Sequence, residues 1–101
     1  MEYANNLYKS KEISEKKYKK IVKKVRRRKR VRGIYFLTCI EESKNPLEIL
    51  TSAELYKTIN KNNKILIIGI ADSKEHSFEL VRMIYDDVYK KTSDVDLSIL
   101  S

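Results

Sequence analysis

Lys64-Ile65-Leu66-Ile67-Ile68-Gly69-Ile70-Ala71-Asp72-Ser73-Lys74-Glu75 is the stretch whose reading decides the fold. From Ile65 to Ala71 no polar side chain interrupts it, and Ile65, Ile67, Ile68 and Ile70 are β-branched. A run of this kind, apolar on both faces, predicts a strand covered above and below, as in α/β sheets. Gly69 inside it signals close packing or a bulge. Asp72 or Ser73 then supplies a helix cap, with Glu75 three residues after Asp72. Phe78, Val81, Ile84, Tyr85 and Val88 follow at helical spacing, so the strand leads directly into an amphipathic helix.

Upstream, Gly33-Ile34-Tyr35-Phe36-Leu37-Thr38-Cys39-Ile40 is a second, near-continuous apolar run and predicts a strand over about 31–41. Between the two strands, Asn45-Pro46-Leu47-Glu48 reads as cap, proline at the first helical position and acid at the third. Thr51 and Glu54 repeat the capping-box spacing. One helix over 46–60, or a short turn followed by a second helix from Ser52, satisfies both signals. Downstream, Val95, Leu97 and Ile99 alternate with Asp96 and Ser98, the pattern of an edge strand. The expected fold class is α/β: residues 33–101 as a small two-layer body with a three-stranded, mainly parallel βαβαβ sheet, the strands joined by crossovers.

The N-terminal third reads differently. Residues 1–13 show no consistent period and are expected to be mobile or loosely docked. From Ser14, a good cap, Tyr18, Ile21, Val22 and Val25 fall on one helical face, and Glu15 precedes Lys19 by four. The apolar stripe fails at Lys29 and Arg32. A basic amphipathic helix within 14–32, leaving the core near Arg28, is the expectation.

Charge separates this segment from the body. Residues 1–33 carry 14 Lys+Arg against 3 Asp+Glu, net +11, and residues 34–101 carry 8 against 11, net −3, which together make the formal +8. Within Lys16–Arg32, 12 of 17 residues are Lys or Arg. Such density repels itself, and docking on a polyphosphate would relieve the repulsion and release counterions. The expected function is therefore non-enzymatic nucleic-acid binding directed at phosphates, carried by Lys19, Lys20, Lys23, Lys24, Arg26, Arg27, Arg28, Lys29 and Arg30. No helix-turn-helix, zinc-finger or ribonucleoprotein aromatic motif accompanies them, so base-specific reading has no support.

The alternative, from a different class, is an assembly module that pairs with itself as a homodimer or grips an acidic protein, using the 95–100 edge. A membrane-surface role ranks below both, because the apolar strip Ile21, Val22 and Val25 is narrow and lacks Trp, Phe or Leu. Tyr3, Tyr8 and Tyr18 flank the basic run, but an anchoring role for Tyr18 explains it better than base stacking.

Catalytic and metal signals are thin. Cys39 and His76 would lie toward the same end of a parallel sheet, yet Cys39 sits in an apolar strand, the setting of an inert thiol. Glu41-Glu42 and Asp86-Asp87 are not spaced as a cation cage. No cofactor, metal or small-molecule ligand is expected. A single cysteine precludes an internal disulfide, no secretory signal pattern is present, and no apolar run approaches the roughly 20 residues of a membrane helix, so a cytoplasmic protein is expected. The bias toward Lys, Ile, Asn and Tyr suits an AT-rich bacterial coding sequence.

Overall fold

The computed structural model describes residues 1–40, 47–61 and 64–92. In chain order these form β1 (Glu2–Lys9), α1 (Glu15–Arg26), β2 (Tyr35–Ile40), β3 (Glu48–Leu50), α2 (Ser52–Lys61), β4 (Ile65–Ala71) and α3 (Lys74–Thr92). The result is a small mixed α/β domain of three helices on one four-stranded sheet, ordered β1-β4-β2-β3. β1 pairs parallel with β4, whereas β2 is antiparallel to both β4 and β3. Its Cα radius of gyration, 12.9 Å, is that of a compact chain of this length.

β4 is central, as its two-faced apolar sequence requires. Ile65, Ile67 and Ile70 enter one buried cluster, with Ile21 and Val25 of α1 and Leu55 and Ile59 of α2. Ile68 and Ala71 enter the other, with Leu37 and with Leu80, Ile84 and Val88 of α3. Helices therefore cover both faces, which corrects the two-layer expectation to three layers. The phase of alternation slips once along β4. Leu37 pairs with Gly69 and Thr38 with Ile67, so Ile68 is the extra residue of a bulge. A Cβ on Gly69 would lie 3.3 Å from Leu37 Cβ and Cδ2, a tight contact that glycine avoids where the two strands close on each other.

The sheet departs from the three-stranded, mainly parallel expectation for two reasons. First, the single helix over 46–60 is not formed: the helix starts at Ser52, as the second of the two expectations had it, but Glu48–Leu50 before it pairs back on β2 as a strand. The parallel crossover thus joins β3 to β4 through α2, with β2 between them. Thr51 supplies the expected capping box, its N–H donating to Glu54 Oε1 at 3.0 Å while Glu54 N–H donates to Thr51 Oγ1 at 3.3 Å. Glu54 is held below its ordinary pKa by those bonds from Thr51. Secondly, the segment 1–13, expected to be loosely docked, supplies β1. Its irregular register, Tyr3 opposite Ile67 but Tyr8 opposite Gly69, erases the period that would have announced it.

Smaller differences follow the same logic. β2 begins at Tyr35 because Gly33, at φ 73°, turns the chain just before it. On α3 the buried stripe is Ser77, Leu80, Ile84 and Val88, while Phe78, expected on the core face, is exposed. The edge strand expected over 95–99, the acidic pair Glu41-Glu42 and the helix start at Asn45-Pro46 lie outside the described residues.

Candidate nucleic-acid interface

α1 forms where the sequence places it. Ser14 Oγ accepts from Lys17 N–H at 3.1 Å, Glu15 lies in the first turn, and Lys23, Lys24 and Arg26 lie in the last, complementing the helix dipole at both ends. Ile21 and Val25 are buried, and Tyr18 packs beside them. Each buried aliphatic side chain contributes roughly 1.5–3 kcal/mol, so one narrow face holds the helix on the sheet. Glu15 pairs with Lys9 from β1 rather than with Lys19, and Lys9 also stands 4.8 Å over the Tyr18 ring. That pairing draws the Glu15 carboxyl below its ordinary pKa.

The helix closes with a Schellman turn. Arg28 N–H donates to Val25 O at 3.0 Å and Lys29 N–H to Lys24 O at 2.9 Å, with Arg28 at φ 56°, a conformation usually given to glycine. Its guanidinium donates to Val25 O at 2.7 Å and lies 5.7 Å over the Tyr56 ring, while Tyr56 donates its hydroxyl to Lys29 O. A cation is thus kept where the backbone prefers glycine, held by its own side chain.

All nine cations expected to carry binding, from Lys19 to Arg30, are exposed. Among the described residues, no Lys or Arg of 16–32 makes an ion pair with a carboxylate. The nine are not equivalent. Lys20, Lys24 and Arg30 line a groove of about 460 Å³, together with Lys17 and Arg32, over a floor of Ile21, Val31 and Ile34. Lys19, Lys23 and Arg26 fall on the other flank of the helix, and Arg27, Arg28 and Lys29 form its end. Lys17 and Arg32 belong to the basic run but were absent from the nine. Their signal was positional: Lys17, Lys20 and Lys24 stand at i, i+3 and i+7, and Arg30 and Arg32 flank the buried Val31, whose N–H donates to Ser52 Oγ at 3.1 Å.

A second cluster sits at the carboxyl ends of the parallel pair β1 and β4. Ser73 caps α3, accepting from His76 N–H at 3.0 Å. Asp72 Oδ1 lies 2.6 Å from His76 Nδ1 and accepts from Ser10 Oγ at 3.2 Å, and Glu12 Oε2 lies 3.4 Å from the same ring nitrogen. The Asp72 hydrogen bond raises His76 above its ordinary pKa and, reciprocally, lowers Asp72. Glu12, Asp72 and His76 each offer one atom to a shared cation, all within 4.8 Å of one another. Glu12 had no sequence signal, because β1 pairing is what brings it to the end of β4.

Cys39 and His76 do not converge, which corrects the parallel placement. Cys39 pairs with Leu66 at the start of β4, whereas His76 follows its end at Ala71, roughly 16 Å away at strand rise. Burial pushes the half-buried Cys39 thiol up to about 11, away from thiolate chemistry. No helix among the described residues is long and apolar enough to cross a membrane. The chain matches no protein-family model, no curated protein and no solved structure.

Proposed function

We propose that this protein binds nucleic acid through phosphate contacts made by the cationic surface of α1 and the segment that follows it. The observation that carries the reading is that those cations have no carboxylate partner: among the described residues, Glu15, the one acid of α1, is taken by Lys9 of β1. A helix that served only to pair with its own body would spend its charge internally. This one turns Ile21 and Val25 inward and leaves its lysines to solvent. Occupied aromatic rings and the lack of a base-reading motif make the binding sequence-tolerant and salt-dependent.

The test is a fourfold charge reversal, Lys19→Glu, Lys20→Glu, Lys23→Glu and Lys24→Glu, titrated against a fluorescent oligonucleotide. Glutamate is nearly as good a helix former as lysine and all four positions are exposed, so the fold should be retained, with a thermal transition at or above that of wild type because the reversals also relieve like-charge repulsion along α1. Affinity at about 0.15 M salt should fall at least about 100-fold. Equal binding by the two proteins would remove the reading.

A further inference from the structure

We infer that the groove between α1 and residues 30–34 is built to seat the backbone of one unpaired nucleic-acid strand. The inference rests on the phosphate-binding reading above and adds to it a seat and a preferred form of ligand. One wall is the helix flank carrying Lys17, Lys20 and Lys24; the other is the return segment carrying Arg30 and Arg32. Among the described residues, no carboxylate lines either wall. The floor of Ile21, Val31 and Ile34 offers no polar side chain, and the Val31 N–H is already engaged by Ser52. The walls can therefore grip phosphates while the floor reads no base edge.

Two opposed cationic walls distinguish between single strand and duplex. On an open cationic surface the duplex wins, because it presents one charge per roughly 1.7 Å of axis. In a walled groove the single strand wins: its backbone is free on both sides, whereas in a duplex the complementary strand obstructs one wall. Many single-strand binders add aromatic stacking to a basic groove. Here Tyr18 is covered by Lys9 and Tyr56 by Arg28, so the groove works through charge alone.

Two triple variants of equal charge test this, each titrated with a mixed-sequence single-stranded DNA and with its duplex across salt concentrations. The groove variant is Lys17→Gln, Lys20→Gln and Arg30→Gln; the outer-flank variant is Lys19→Gln, Lys23→Gln and Arg26→Gln. Wild type should prefer the single strand, with a log–log salt slope of about −3.5 or steeper if five phosphates are neutralised. The groove variant should lose about 2 from that slope and at least about tenfold in affinity at 0.15 M salt, and the outer-flank variant less than about threefold. Equal losses in both, or a tenfold preference for duplex, would overturn the groove while leaving phosphate binding intact. Absence of binding to either form by wild type would end both readings. Should circular dichroism show the groove variant unfolded, Lys24→Gln with Arg32→Gln makes the same comparison from the other positions in the groove.

Discussion

His76 shows how one side chain ties three segments together. It stands in the first turn of α3, where the helix dipole opposes a positive charge, yet the Asp72 carboxylate at 2.6 Å and Glu12 at 3.4 Å raise its pKa above the ordinary 6.5. A raised folded value means that His76 stabilises the fold fully below about pH 6.5, with the contribution fading as pH climbs through that raised value. Asp72 is the opposite case. Its folded value lies below the ordinary 3.8, so its contribution is present above that pH and is lost as pH falls through the lowered one. The pair is complete only between roughly pH 4 and 6.5. We therefore expect the gap in melting temperature between wild type and His76→Gln to be widest near pH 5–6 and to narrow on either side. Thermal melts across pH 3–9 check it, and a gap independent of pH would show that the Asp72–His76 contact is absent in solution.

At the scale of elements, bulged β4 sets what its neighbours can be. Gly69→Ala would gain a few tenths of a kcal/mol to about 1 kcal/mol from a less flexible unfolded chain. Against that, its new Cβ meets Leu37 Cβ at 3.3 Å, an atom fixed by the β2 backbone, with Tyr8 O at 3.4 Å on the other side. Overpacking of this kind costs about 1–3 kcal/mol and should win. Urea denaturation should show Gly69→Ala about 1 kcal/mol or more less stable than wild type, and an unchanged midpoint would place the bulge elsewhere. The same bulge explains which elements were legible. Helices α1 and α3, the strand β4 and the Thr51–Glu54 cap were all readable, because period, cap and apolar run agreed with one another. β1 was not, since its register slips between Tyr3 and Tyr8 and no two-residue alternation survives. Nor was β3: three residues carry no period, and the Pro46 signal argued for helix over them. Missing β3 reversed the inferred direction of β2 against β4, and the Cys39–His76 pairing fell with it. Lys17 and Arg32 line the proposed groove outside the nine cations expected from the sequence, since charge density ranks residues along a run while a groove selects one helical face, that of Lys17, Lys20 and Lys24, and the segment opposite it.

For the whole molecule the deciding quantity is the contest between α1's apolar docking and its own repulsion. Nine like-charged pairs at i,i+3 or i,i+4 spacing fall between Lys16 and Arg27, from Lys16–Lys19 to Lys24–Arg27. At roughly 0.2–0.5 kcal/mol each they cost about 2–4 kcal/mol, comparable with what burying Ile21 and Val25 contributes. The body, at net −3, does not answer this charge, since the Lys and Arg of 16–32 find no carboxylate among the described residues. Isolated protein is thus a molecule under cationic tension that either salt or a polyanion releases. Salt acts by screening, with a Debye length falling from about 30 Å at 0.01 M to about 3 Å at 1 M. Relief of about half the repulsion is worth about 1–2 kcal/mol, or roughly 5–10 °C for a domain of this size. Melting temperature should accordingly rise as sodium chloride goes from 0.02 to 0.5 M. A fall would mean that attractive pairs outweigh repulsive ones in the folded chain, and the free cationic surface on which phosphate binding depends would not exist.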